Sequence, residues 1–269
     1  MIVDNATGTD TDVFLEVSDD IGVDFPDKKF TQDEEFCTIS LDGVEKRIRF
    51  HDYDEIYSIP GLYEKIFYDH LRCCSPETVC DFFFDEIRKR GLSEDQLRVL
   101  EIGSRNGMVG ELMKQHGVSF VVGVDILIEA KLAAYRDRPN VYDDYFAIDL
   151  TDIPESIEED ILMYKLNSLV SVAALGFDDL PPLAYARAFN LISKEGWIAF
   201  NIKDLFLSGK DSSGFSRLFK KMIDNDIVSI HVQEKYQHRV ATDNSPLYYY
   251  AIVAQKLADI PRAWLAEMA

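Results

Sequence analysis

Basic residues are scarce in this chain: 28 Lys and Arg stand against 48 Asp and Glu, a formal net charge of −20 over 269 residues. So acidic a surface repels phosphate backbones, and no compact Lys/Arg stripe interrupts it, which argues against nucleic acid as a partner. Long apolar runs are also missing. None approaches the roughly 18 residues of a membrane span, and the opening "MIVDNATGTDTDVF" lacks the basic start and apolar centre of a secretory signal. No membrane partner is expected, and cytoplasmic residence is the default. Cysteine is sparse too. Cys37, Cys73, Cys74 and Cys80 fit no common zinc spacing and mark no disulfide framework, so reduced thiols and no metal site are expected.

What is present is apolar bulk. A 47% apolar share with 12% aromatics suffices for a sizeable core, so global disorder is excluded. The length fits one large α/β domain with an appendage, or two small domains. The boundary is placed between an extension over 1–92 and an α/β domain over 93–269.

The first 35 residues are rich in Asp and read as an extended or loosely docked arm. In "FCTISLDGVEKRIRF" the Asp42-Gly43 pair separates two alternating runs. This predicts a hairpin with Leu41 facing Val44 and Cys37 facing Ile48. "IPGLYEKIFYDHL" predicts a helix from Pro60 with Leu62, Tyr63, Ile66, Phe67 and His70 on one side. A second helix is expected in "SPETVCDFFFDEIRKRG", with Ser75 as N-cap, Pro76 in the first turn and Gly91 as the stop.

From residue 97 the pattern becomes strand, turn, helix, repeated. Strands are read in "LRVLEIG", "SFVVGVDI", "YFAIDL", "LNSLVSVAALGF" and "GWIAFNI". Helices are read in "NGMVGELMKQHG", "LIEAKLAAYRD", "LAYARAFNLIS" and "SGFSRLFKKMIDN". Apolar strands alternating with helices predict a parallel sheet covered on both faces. The closing strands "IVSIHVQEKYQHR" and "LYYYAIVAQK" are joined by a loop too short for a parallel crossover, so they pair antiparallel.

The chemistry concentrates in "LEIGSRNGMVGEL", residues 100–112. In an open α/β sheet, ligands sit beyond the carboxyl ends of the strands. The glycine step here is G-x-x-x-G-x-x-G, without the close pair of a dinucleotide fingerprint, and no Lys-Ser/Thr follows as in a P-loop. Glu101 precedes the turn, Asp125 ends the second strand and Asp149 ends the third. Three acids at adjacent strand ends are expected to converge on one crevice. It would suit a ligand with a ribose diol, an amine and net positive character better than a pyrophosphate.

At these residues the chain resembles the class I S-adenosylmethionine-dependent methyltransferases. "LEIGSRNG" is similar to their glycine loop, "GVDI" to the acidic end of their second strand, "AIDLTDIP" to the third-strand Asp, and "SVAALGF" to the fourth-strand segment. The resemblance spans roughly 95–256; Arg105 stands where many members have a third glycine. It implies a three-layer α/β sandwich with a seven-stranded mixed sheet, mostly parallel with one antiparallel terminal strand, behind an N-terminal hairpin and helical extension. It implies S-adenosylmethionine as cofactor. Gly103 and Gly107 would admit it, with Ser104, Asn106 and Ile126 flanking, and Glu101 would orient the loop near the methionine amine. Asp125 would take the ribose hydroxyls, Asp149 and Leu150 the adenine, and Ala173 the methionyl part. Two alternative readings stay open at Asp149, a solvated cap, and at Gly107 and Gly110, close packing.

Signatures that name the acceptor are missing. "SVAAL" is not the Asn/Asp-Pro-Pro-Tyr/Phe box of methyltransferases acting on bases, and no Pro-Cys dipeptide is present. A small-molecule acceptor is therefore expected, with a protein side chain as the alternative. Tyr53, Tyr57 and Tyr63 are candidates for a lid over it. His238, Tyr236 and Lys203 are candidates for the chemistry, with His231 and His70 ranked below. An NAD-dependent oxidoreductase on a similar sheet and a non-catalytic module holding an adenosyl cofactor remain as alternatives. Oligomeric state is not readable.

Overall fold

The computed structural model describes residues 21–26, 28–41, 43–175, 179–203 and 214–268. Most of the acidic arm, and Asp42 of the expected turn, lie outside the described residues. Two sheets are present among them. The small one has the order β1-β2-β3, from Gly22–Asp24, Phe36–Leu41 and Val44–Arg49. Its hairpin has the expected register, Leu41 opposite Val44 and Cys37 opposite Ile48, and Gly43 takes φ +78°. That positive φ is what the two-residue turn demands. The arm's end, read as loosely docked, adds β1 to this sheet, and Ile21 and Glu35 are buried.

The large sheet has seven strands in the order β6-β5-β4-β7-β8-β10-β9. These are Arg98–Ile102 (β4), Phe120–Asp125 (β5), Asp144–Ala147 (β6), Ser168–Ser171 (β7), Trp197–Lys203 (β8), Val228–Val240 (β9) and Pro246–Lys256 (β10). Pairs among β4 to β8 are parallel, and β10 runs antiparallel to both its neighbours. β4 and β7 adjoin, so the chain order reverses there. That is the switch point at which such sheets open a crevice.

Helices cover both faces. On one side lie α3 (Ser75–Lys89), α4 (Met108–Gln115) and α5 (Ile128–Asp137). On the other lie α6 (Glu155–Met163), α7 (Pro182–Leu191) and α8 (Phe215–Asp224), and α9 (Arg262–Met268) packs its Trp264 and Leu265 there. In α8 the stripe Phe215, Leu218, Phe219 and Met222 is buried against Tyr185, Phe189 and Phe200. Each such side chain contributes about 1.5–3 kcal/mol by leaving water. α6 and α9 were not expected. Acidic positions break the apolar pattern of α6, and only Ile161 of it is buried.

The expected helix from Pro60 is instead preceded by α1 (Tyr53–Ser58), and the chain breaks at Gly61, φ +73°. α2 (Leu62–Glu64) then runs into a wider, π-helical turn over Lys65–His70. Leu62, Tyr63, Ile66 and Phe67 are buried as expected, but the wide turn carries His70 to the surface. α1 packs on α5, and the small sheet, α1 and α2 share a core with Ala130 and Ala133 of α5. No helix of the described residues is long and apolar enough to cross a membrane.

Candidate functional site

The turn after β4 begins at Gly103, φ +66°, where a Cβ would lie 2.5 Å from the Cβ of Ala174. Only glycine lets β4 and the segment after β7 approach so closely. The next residue, Ser104, is buried. It donates to the carbonyl of Glu101 and accepts from the amide of Val124, and so staples β4 to β5. Gly107, φ +91°, starts α4 and faces Tyr142 and Arg138, and a Cβ on Gly110 would strike Tyr142 and Val141. Both glycines permit close packing here, and neither lines the three cavities over the switch point.

Three cavities open over the switch point. The first lies beyond β4, β5 and β6 and is lined by Gly103, Asp125, Ile126, Asp149, Leu150, Tyr53 and Tyr57, with Arg105 at its edge. The amides of Arg105 and Leu127 donate to the Asp125 carboxylate, at 2.9 and 3.1 Å, which aims it into the crevice. Burial raises its pKa against those bonds. Asp149 is exposed and also caps the next turn, accepting from the amide and hydroxyl of Thr151 at 2.7 Å.

The second cavity is lined by Glu101, Asn106, Ala173, Tyr63 and Arg105. Tyr142 donates to Glu101 at 2.9 Å, yet burial pushes this carboxyl up to about 8. Asn106 donates to Glu64 at 2.8 Å, while its own Oδ1 is buried with no hydrogen-bond partner among the described residues. An orphaned acceptor beside a buried carboxyl is a seat for a cationic donor. The residues therefore fit the methionine ammonium of S-adenosylmethionine here, and a ribose and adenine in the first cavity. Asp125 and Asp149 share a crevice, whereas Glu101 lies in the adjoining cavity; the Arg105 side chain borders both. Convergence of the three acids on one crevice is corrected accordingly.

The third cavity is lined by Tyr53, Tyr63, Phe50, Phe67 and Tyr249, and by His238, Arg239 and Arg105. Of the three candidates for chemistry, His238 faces this cavity. Tyr236 and Lys203 line none of the three. His238 Nδ1 lies 2.5 Å from the hydroxyl of Ser75, which also meets Tyr236 at 2.7 Å. Asn201 donates to both oxygens, and its own Oδ1 accepts from the amide of Ala173, φ +54°. Ser75 is thus not the N-cap of α3, where Cys74 stands, but the hub of a buried network. Burial first, then Arg239, Arg105 and Lys203, hold His238 well below the ordinary imidazole range, so it is neutral at physiological pH. Lys203 donates to Gln32 at 3.1 Å, and the segment after it lies outside the described residues. His231 lies against Glu86 and Arg90, remote from the cavities.

Sequence reasoning missed Arg239, Glu35, Phe50 and Tyr249. The one signal was an Arg-bearing strand next to His238. Its meaning depends on Glu35, which bonds Arg239 and accepts from the amide of Thr242 at 2.8 Å, across most of the chain.

No family model matches the chain, and no curated protein matches it. Solved structures do. Magnesium protoporphyrin IX methyltransferase from Synechocystis PCC 6803 with bound SAM has 14% identity over 67% of this chain and 79% of its own, with a TM-score of 0.47. An S-adenosylmethionine-dependent methyltransferase from Mesorhizobium loti has 15% identity over 64% of this chain and 97% of its own, with a TM-score of 0.43. A SAM-dependent methyltransferase from Methanosarcina mazei has 16% identity over 64% of this chain and 98% of its own, with a TM-score of 0.45. The likeness is thus to solved structures alone, at 14% to 16% identity and with TM-scores below 0.5.

Proposed function

We propose that the chain is an S-adenosylmethionine-dependent methyltransferase acting on a small-molecule acceptor in the cytoplasm, with residues 1–92 as an extension that supplies the lid. The observation that carries this reading is the pair of adjoining cavities at the switch point. Asp125 is aimed into one by two backbone amides, and Glu101 with the orphaned Oδ1 of Asn106 waits in the other.

When bound, S-adenosylmethionine supplies a methyl group on a sulfonium, open to in-line displacement. The protein's part is alignment and exclusion of water. Asp125 holds the ribose, Ile126 and Leu150 flank the adenine with Asp149 at its rim, and Glu101 and Asn106 take the ammonium. Gly103 permits the close approach of backbone and cofactor, and the Ala173 carbonyl borders the methionyl part. Tyr53, Tyr57 and Tyr63 wall the cavities on the acceptor side. His238, kept neutral, gives or takes a hydrogen bond at the acceptor without adding charge.

Titration calorimetry with S-adenosylmethionine and S-adenosylhomocysteine tests the reading, and no heat from either compound sinks it. Asp125→Ala is expected to weaken both by about 1–3 kcal/mol, the range for stripping a buried polar group of its partner. An unchanged dissociation constant removes Asp125 from the site. Fluorescence enhancement of reduced nicotinamide on titration would favour the oxidoreductase instead.

A further inference from the structure

Arg105 belongs to all three cavities at once. Its backbone sits at φ +53°, and its side chain reaches across to the segment after β7. The guanidinium donates to the hydroxyl of Tyr63 at 3.1 Å, to the carbonyl of Val172 at 3.4 Å and to the carbonyl of Ala173, and lies 5.6 Å over the ring of Tyr53. Every one of these acceptors is uncharged.

The neighbouring charged side chains have partners of their own, the Asp125 carboxylate two backbone amides. Arg239 is bonded to Glu35, Arg138 to Glu64 and Glu111, and Asp179 to His51 at 3.0 Å. Arg105 makes no ion pair among the described residues, although this chain carries 20 more acids than bases. A half-buried guanidinium cannot shed its proton; the charge of Asp179 acts on it at a distance, but no carboxylate stands within ion-pair reach of it among the described residues.

The anion's side of Arg105 follows from what each cavity offers. The second cavity presents acceptors, the Glu101 carboxyl and Asn106 Oδ1, which suit a cation. The third presents five aromatic rings, Phe50, Tyr53, Tyr63, Phe67 and Tyr249, with Arg105 and Arg239 in the same wall and Asp179 there hydrogen-bonded to His51. Flat rings around a cavity accept a flat, apolar body by stacked and edge-on contacts, and a convergent cation fixes its orientation. Resting on the methyltransferase reading, we propose that the third cavity takes a planar aromatic acceptor bearing a carboxylate, which pairs directly with the Arg105 guanidinium. A guanidinium fork is the natural partner of a carboxylate, to which it donates two parallel hydrogen bonds. The neutral state of His238 is consistent with this, since it leaves the guanidinium as the charge that selects.

Calorimetry on the full chain tests it, with and without saturating S-adenosylhomocysteine. The probes are benzoate, salicylate, 4-hydroxybenzoate and cinnamate, each against its uncharged carboxamide. Acids are expected to bind at least about tenfold more tightly than their amides, a difference of about 1.4 kcal/mol. Arg105→Met is expected to erase the preference, and Arg105→Lys, which keeps the charge but not the fork, to retain part of it. Equal binding of acid and amide, or binding by neither at millimolar concentration, overturns the proposal. To separate an anion belonging to the cofactor, both proteins are also titrated with 5′-methylthioadenosine, which lacks the amino-acid end. If Arg105→Met weakens S-adenosylhomocysteine but not methylthioadenosine, and the acid preference survives, Arg105 serves the cofactor and the proposal falls. A wild-type protein that binds neither adenosyl compound sinks the methyltransferase reading; one that binds both and shows no acid preference sinks the acceptor inference alone.

Discussion

Glu101 keeps a proton that an ordinary carboxyl surrenders well below neutrality. Burial raises it to about 8 against the opposing hydrogen bond from Tyr142. Because the folded-state value lies above the unfolded one, its stabilising contribution is complete below about 4.5 and is lost as pH rises through about 8. Glu101→Gln is therefore expected to flatten the pH profile of thermal unfolding over that window, gaining roughly 4 kcal/mol at pH 9 relative to pH 5, at about 1.4 kcal/mol per pKa unit. A profile as steep as the wild type's would assign the slope to another group. An ammonium seated beside Glu101 favours its ionised form, so cofactor binding at neutral pH also releases a proton. The heat of binding then varies with the ionisation enthalpy of the buffer.

At the scale of elements, the start of α3 is fastened to β9 around the Ser75 hydroxyl. Ser75 meets His238, Tyr236 and Asn201, and the amide of Cys74 donates to the carbonyl of His238 at 3.1 Å. Ser75→Ala leaves an imidazole nitrogen and an amide hydrogen unmatched in a buried place. A loss of about 1–3 kcal/mol in denaturant unfolding is expected, with Ser75→Thr recovering part of it. A variant as stable as the parent would show that Ser75 is dispensable. This network also marks where sequence reading stopped. Gly103, Asp125 and Leu150 were legible because strand, turn and acid are a local pattern, repeated on adjacent strands. Ser75 read as an N-cap because Ser before Pro in a helix start has that local meaning, and only packing against a strand far along the chain assigns it otherwise. The wide turn at Lys65–His70 had no local mark either, since a helix and its π-bulge share the same apolar spacing.

On the scale of the whole molecule, the small N-terminal sheet is held to the large one through Glu35. Its carboxylate satisfies Arg239 and the amide of Thr242, and Gln32 donates to Tyr249 at 2.7 Å nearby. Removing one partner of a buried pair leaves the other charge uncompensated, at a cost of about 3–5 kcal/mol. Glu35→Ala is therefore expected to loosen the small sheet. Limited proteolysis should cut the segment around β1 to β3 faster than in the wild type, while the strand core over β4 to β8 stays protected. Equal cleavage rates would mean that the sheet is held by its apolar contacts alone. The architecture as a whole was readable from strand–helix alternation and loop lengths. The partnership of Glu35 with Arg239 was not, because nothing local distinguishes these two from the many charged residues at the surface.

The third cavity draws Phe50 and Tyr53 from the early part of the chain, Arg105 from the middle, and His238, Arg239 and Tyr249 from the last two strands. The adenosyl crevice needs nothing beyond α7. A chain synthesised as far as β8 thus holds every lining residue of the first cavity but not His238, Arg239 and Tyr249 of the third. That chamber closes only when β10 threads between β8 and β9 and brings the two ends of its wall together. Its formation is a long-range, late event of the kind that folds slowly.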